Sequence, residues 1–260
     1  MSVHSPSPAV FEPAGLQTVE SLHSFCFDAL TRAGLTEIDA EIGAQVLCTT
    51  DCWGVFTHGN KSLRGYLRRL QAGGLKPQGR PTIVAEGGGW ATVDGDSSLG
   101  MVTSVFAMQT AIDKARATGI GYVGVRNSCH FGAAGYYAWL AADAGLIGLS
   151  MANDIPSVSA PHSRGAITGS NPLAYAIPAG RYRPMMLDMS IATVAGGKVM
   201  AAKERGEPIP SSWLVDAAGR PTDDAASYPR IAEKCAVKSK SPRFVSEAQK
   251  NYALWIAPVT

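Results

Sequence analysis

Three stretches of this 260-residue chain set reactive side chains beside glycines. DCWGVFTHGNKSLRGY (51–66) carries Thr57, His58, Lys61 and Arg64. RNSCHFGAAGYY (126–137) carries His130, and MANDIPSVSAPHSRGAITGSNP (151–172) carries Asn153, Asp154, His162, Ser170 and Asn171. A neutral imidazole can exchange a proton with a hydroxyl near neutral pH. The pattern puts His130 between a strand and a helix, where a helix N-terminus offers free N–H groups and a positive end to an anion. Arg64 has a planar fork suited to both oxygens of a carboxylate. Each stretch also has a structural alternative. A lone histidine can serve as a hydrogen-bonder, Ser-Asn-Pro as a turn and Asn-Asp as a strand-end cap. His162 reads as a solvated loop residue, and His4 and His23 as structural.

Those groups need a frame. Apolar residues make up 46% of the chain and charged ones 17%, the balance of an ordinary globular protein. No run of 18 apolar residues exists, and MSVHSPSPAVFEPAG lacks the basic and apolar regions of a secretory signal. It reads as a flexible leader over 1–15. Five widely spaced cysteines, without a C-x-x-C, suggest a reducing cytoplasm and no disulfide framework. Cys48 and Cys52 stand one helical turn apart, but nothing nearby completes a metal site, so they read as buried helix cysteines and no metal is expected. The net charge of +2 is uneven: residues 230–250 hold six basic and two acidic side chains, a balance of +4. Without interleaved aromatics this basic tail reads as solvated rather than as a nucleic-acid binder.

Residues 16–81 have helical periodicity. Val19, Leu22, Phe25, Cys26, Ala29 and Leu30 share one predicted face; Ile38, Ile42, Val46 and Thr49 share a second, capped by Thr36. Leu63, Tyr66, Leu67 and Leu70 form a third. From 82 to 228 the texture is α/β: strands at PTIVAE, WATVDGD, YVGVRNS, LIGLSMAND, LAYAIPA and PMMLDMS, with helices at SSLGMVTSVFAMQTAIDKARATG, GAAGYYAWLAADAG and ATVAGGKVMAAKERG. Val102, Val105, Phe106, Ile112 and Ala115 mark the inward face of the first of these helices. GIGYVG (119–124) matches the dinucleotide fingerprint G-x-G-x-x-G in spacing only. That fingerprint runs strand, glycines, helix. Here Gly119 closes a helix, Gly121 and Gly124 enter a strand as packing choices, and Asp143 lies late in a helix. A Rossmann fold is therefore not expected.

Several segments, in order over about residues 36–225, carry a likeness: THG (57–59) with RGYLRRLQAGGLKP, DGDSSLG (94–100), GIGYVGVRNSCHFGAAGYYA (119–138), GSNPLAYAIP (169–178), LDM (187–189), GGKV (196–199) and IPSSWLVDAAGRPTDD (209–224). On these the chain resembles the malate/L-lactate dehydrogenase-like NAD(P)-dependent oxidoreductases, a group that includes ureidoglycolate and sulfolactate dehydrogenases and diketogulonate reductases. The resemblance implies a non-Rossmann, sulfolactate-dehydrogenase-like α/β fold with a mixed or antiparallel sheet and an N-terminal helical region. It implies a substrate and dimerisation region over 16–81 and an NAD(P)-binding domain over 82–228. It also implies a homodimer that binds NAD or NADP and moves a hydride to or from a small 2-hydroxy or 2-keto acid. Neither a nucleic acid nor a membrane is an expected partner.

Residue by residue, the resemblance makes His130 and His58 acid/base candidates, with both kept, and places Thr57 beside them where most members have Ser. Lys61 and Arg64 become candidates for the substrate carboxylate. Asn153, Asp154, Ser170, Asn171, Asp188, Met189 and Ser190 become candidates for the cofactor. Three departures stand out. Ser62 occupies the family's arginine position four residues after the first histidine. Ile191 and Ala192 lack hydroxyls that the family's cofactor segment carries. Over 229–260 the chain turns into a basic tail unlike the family's loop and helices, as a frameshift or truncation would produce. The alternative expectation is thus a catalytically impaired chain with exposed apolar faces.

Overall fold

The computed structural model describes residues 17–160 and 163–228, and the backbone of 250–258. Three helices come first: α1 (Val19–Arg32), α2 (Glu37–Cys52) and α3 (Leu63–Gln71), with a 3-10 turn (Asn60–Ser62) leading into α3. Thr18 and Thr36 cap α1 and α2 by accepting the N–H groups of Ser21 and Asp39. The inward faces match the periodicity in part. α1 buries the expected Cys26 and Leu30 but leaves Val19 and Phe25 exposed; α2 buries the expected Val46 and packs Ile42 on the core, buries Ala40, Gly43, Ala44 and Leu47 besides, and leaves Ile38 exposed. Small residues let α1 and α2 approach closely: a Cβ on Gly43 would lie 2.6 Å from Leu30 Cδ1. α3 follows its prediction, with Leu63, Tyr66 and Leu70 buried.

The rest is a layer of helices on a mixed sheet. Its strands are β1 (Thr82–Glu86), β2 (Trp90–Asp94), β3 (Gly121–Ser128), β4 (Leu146–Ala152), β7 (Leu173–Ala179), β8 (Tyr182–Met189) and β11 (Lys250–Pro258). Two short ribbons, β5 (Val158–Ser159) with β6 (Ala166–Thr168) and β9 (Leu214–Val215) with β10 (Pro221–Thr222), stand apart. The large sheet runs β1-β2-β3-β11-β4-β7-β8; β2 and β3 are parallel and the other neighbours antiparallel. α4 (Gly100–Thr118) and α5 (Ala134–Asp143) cover one face, over Ala91, Val93, Val123, Val125, Ala174 and Ala176. α6 (Gly196–Arg205) lies outside this layer and has a small core with Ile209 and Ala225. The main core runs from Cys26 in α1 to Ala176 in β7, so it crosses residue 81 without a break. α4 turns inward on Val102, Ile112 and Ala115 as expected, but Phe106 is exposed.

GIGYVG is no phosphate loop here. Gly119 ends α4 at φ +85, and Gly121 lies against the same helix, where a Cβ would sit 2.0 Å from Ala111 O. Gly124 corrects the packing expectation: a Cβ there would meet nothing nearer than Tyr122 Oη at 3.8 Å, because it faces away from α4. The solvated-tail expectation is corrected for Lys250–Pro258, which pair with β3 on one side and β4 on the other. Residues 229–249, with most of the tail's basic charge, and His162 lie outside the described residues. Cys48 is buried as expected, whereas Cys52 is exposed.

Opposite α4 and α5, the sheet presents Trp90, Tyr122, Tyr175, Met185 and Leu187 to the outside. Among the described residues, no helix is long and apolar enough to cross a membrane.

Candidate active site

Sheet direction explains how residues far apart in sequence meet. β2, β3, β4 and β8 point the same way by their pairings, and β7 and β11 run opposite to them. The C-terminal ends of β3, β4 and β8 and the N-terminal end of β7 therefore share one edge. His130 follows β3, Asn153 and Asp154 follow β4, Ser170 and Asn171 precede β7, and Asp188, Met189 and Ser190 close β8. Strand-end loops of this kind are where α/β sheets gather binding groups.

Two loops bring the histidines together. His58 sits in a tight turn after α2, its N–H donating to Val55 O at 2.9 Å. Asp51, in the last turn of α2, holds this loop: its Oδ2 accepts the Asn60 N–H at 3.0 Å and Asn60 Nδ2 at 2.7 Å. Ser62, in the family's arginine position, donates its hydroxyl to Thr57 O at 2.9 Å. The His130 loop is held from both sides. Gly100, opening α4, lies against it so closely that a Cβ would be 2.5 Å from His130 O. Phe131 is buried and stacks on Tyr137 at 5.1 Å, and Tyr137 Oη donates to Phe131 O. The outcome is a stacked pair of imidazoles, His58 and His130, with centroids 5.5 Å apart and planes 25° apart. Thr57 Oγ1 lies 3.0 Å from His58 Nδ1. Tyr66, from α3, places its hydroxyl 2.5 Å from His130 Nδ1, and the Gly132 N–H reaches the same nitrogen at 3.3 Å.

The strand-end residues form a connected network. Ser170 Oγ donates to Asp154 Oδ2 at 2.8 Å, the Asp154 N–H donates to Asn171 Oδ1 at 2.9 Å, and Ser190 Oγ donates to Ser170 O at 3.1 Å. Asn171 is held at φ +37, an uncommon conformation for a residue with a side chain. Asp188 Oδ2 accepts the Gly135 N–H at the start of α5, at 2.8 Å. Crowding by neighbouring atoms desolvates the Asp188 carboxyl and raises its proton affinity above the ordinary carboxylate value, with the Gly135 N–H opposing. Met189 is exposed.

The two cations expected to meet a substrate carboxylate are placed differently from the histidines. Lys61 Nζ pairs with Glu204 Oε2 of α6 at 3.1 Å. Arg64 is exposed, two residues before Tyr66 on α3 and so on nearly the opposite side of the helix from that buried ring. It makes no ion pair among the described residues. Two site residues escaped the sequence reading, Tyr66 and Asp51. Tyr66 counted only as an apolar inward residue, but a buried tyrosine hydroxyl needs a partner, and that was the available signal. Asp51 had no signal, because its work is done across a fold of the chain.

A groove of ≈ 620 Å³ opens between this edge and the sheet face, lined by Tyr122, Gly124, Arg126, Met151, Asn153 and Asn171 among others. Apolar walls, an aromatic ring and amides suit a flat heterocycle bearing an amide, while the Arg126 guanidinium already pairs with Asp94 Oδ2 at 3.1 Å. Gly124 leaves bare backbone in that wall, where a Cβ would touch the Tyr122 ring at 3.8 Å. The donor set therefore fits a nicotinamide dinucleotide. No group of three or more His, Cys, Asp or Glu that could hold a metal occurs among the described residues.

The family described as malate/L-lactate dehydrogenase matches residues 17–233. A malate dehydrogenase of Pyrococcus abyssi is 41% identical over 203 residues, 78% of this chain and 56% of that protein. A ureidoglycolate dehydrogenase (NAD(+)) of Escherichia coli O157:H7 is 34% identical over 205 residues, 79% of this chain and 59% of that protein. The solved sulfolactate dehydrogenase of Methanocaldococcus jannaschii superposes with a TM-score of 0.78 at 31% identity, covering 92% of this chain and 76% of that one. The chain thus spans little more than half the length of these two curated relatives.

Proposed function

As the chain belongs to the malate/L-lactate dehydrogenase family, we propose that it is an oxidoreductase that interconverts a small 2-hydroxy acid and the matching 2-keto acid with NAD or NADP. The observation that carries this reading is the stacked His58–His130 pair, on the same sheet edge as the strand-end network. Asn153, Asp154, Ser170, Asn171, Asp188, Met189 and Ser190 would hold the dinucleotide, with Gly124 and Arg126 lining its groove. When bound, the nicotinamide supplies the hydride acceptor, or the hydride itself in reverse. The chain's own residues do the rest. A substrate carboxylate pairs with Arg64 or with Lys61, which must first exchange Glu204 for it. The histidines meet the substrate oxygen and exchange its proton, so that the carbon becomes a carbonyl as its hydride leaves. Thr57 steadies His58 through Nδ1. Positioning and proton transfer supply most of the lowered barrier.

The reading includes a homodimer in the cytoplasm. Apolar side chains on the open sheet face, such as Tyr122 and Met185, support the first; free cysteines support the second. Fluorescence titration with NADH and NADPH tests the proposal, followed by a screen of hydroxy acids with either cofactor. Saturable binding and turnover would support it. A well-folded sample that binds neither cofactor would remove it in favour of an impaired family member.

A further inference from the structure

The proposed reaction leaves open which histidine moves the proton, and this inference rests on that reading. Their ring nitrogens meet different partners. Gly132 directs its backbone N–H at His130 Nδ1, at 3.3 Å. A backbone N–H can only donate, so this long contact favours a lone pair on Nδ1 without fixing the tautomer by itself. Tyr66 points its hydroxyl at the same Nδ1, at 2.5 Å. Tyr66 is almost wholly buried, and burial, the Cys129 thiol adding to it and Arg69 opposing, holds its proton far above the ordinary tyrosine value. It therefore remains a donor. His58 differs: its Nδ1 meets the Thr57 hydroxyl at 3.0 Å, a group that can donate or accept. The Thr57 hydroxyl can accept from Nδ1–H, and in that arrangement the His58 Nε2 lone pair can take up a proton.

We propose that Tyr66 is a positioning residue that fixes His130 as the Nε2–H tautomer, so that His130 donates a hydrogen bond to the substrate oxygen while His58 exchanges the proton. In the oxidising direction the hydroxyl proton passes to His58. The C–H bond leaves as hydride to the nicotinamide, and the electron pair of the O–H bond forms the carbonyl. His130 stabilises the charge developing on that oxygen and keeps its own proton. The division also avoids two adjacent cations, since rings stacked at 5.5 Å do not readily carry charge together.

Long-range 1H–15N correlation spectra of the full chain labelled on histidine test the tautomer, with His130→Asn used for assignment. The expected spectrum has His130 Nδ1 as an unprotonated acceptor and Nε2 as N–H, and Tyr66→Phe mixes the two tautomers. A wild-type His130 protonated on Nδ1 alone would overturn the proposal. Kinetics test the division of labour. Glutamine offers an N–H but cannot exchange a proton, so His130→Gln should retain about a tenth of kcat while His58→Gln loses about a hundredfold or more. The reverse order sinks the assignment. Tyr66→Phe should lower kcat about tenfold with KM little changed; an unchanged kcat removes its positioning role. If no hydroxy acid turns over, the functional reading fails, and the spectra still decide the tautomer.

Discussion

Asp188 lies at the end of β8 with its carboxyl crowded by neighbouring atoms and one N–H, that of Gly135, to answer it. Its proton affinity is higher in the fold than in the unfolded chain. As pH rises out of the ordinary carboxylate range, the unfolded chain releases this proton first, and stability falls through that window. Below it the group contributes nothing. Asp188→Asn removes the term. The Tm difference between variant and wild type should therefore move in the variant's favour as pH rises above the ordinary carboxylate value, and level off once the folded chain has released the proton too. A difference independent of pH would refute the assignment. Gly59 is constrained by space: a Cβ there would lie 1.8 Å from Asp51 Oδ1 and 2.4 Å from its Cγ. Gly59→Ala must push Asp51 off the N–H groups of Asn60 and loosen the turn that carries His58. Denaturant melts should show a loss of about 1–3 kcal/mol, and cofactor-saturated turnover should fall further than the loss of folded protein explains. The identities of His58 and His130 were legible from their neighbours in sequence. Their stacking was not, since 71 intervening residues must fold before the rings meet.

Among the elements, β3 shows why two glycines of one motif differ. Gly121 faces α4 and Gly124 faces the open side, as they must at odd spacing along a strand. Gly121→Ala would press a Cβ to 2.0 Å from backbone of α4, which cannot swing aside as a side chain can. The expected cost is about 1–3 kcal/mol in an equilibrium melt. Gly124→Ala should change stability by less than about 0.5 kcal/mol yet weaken NADH binding, because it adds bulk to the groove wall. Equal effects of the two substitutions on stability would contradict the packing described. Strand and helix order in this region could be read from periodicity and glycine punctuation. The inward faces of α1 and α2 could be read only in part: Cys26, Leu30 and Val46 are buried as the periodicity predicts. Phe25 and Ile38 fit a helical stripe, but α1 and α2 meet at Gly43, where Leu30 leaves no room for a Cβ.

Across the whole molecule, the position of β11 has the largest consequence. Lys250–Pro258 enter the sheet between β3 and β4, although 97 residues separate them from the end of β4. Removing that strand would leave the ladder groups of two central strands without partners, a greater loss than that of an edge strand. A chain ended after Gln249 should lose hydrogen-exchange protection in β3 and β4 and elute as aggregate. An unchanged thermal transition and unchanged protection would show that the sheet closes without β11. The open sheet face, with Trp90, Tyr122 and Tyr175 exposed, adds to that tendency.

Sequence alone determined the local order of elements, the rejection of a Rossmann loop and the family, because periodicity, capping residues and motifs are short-range properties. It also named the histidines and the strand-end polar residues. Only the tertiary structure decided that β3, β4, β7 and β8 bring their polar ends to one edge, since strand direction follows from pairing and not from composition. It likewise placed Tyr66 on His130, Lys61 on Glu204 and the end of the chain in the middle of the sheet. Each of these joins residues distant in sequence, and such contacts exist only once the core has fixed where the backbone runs.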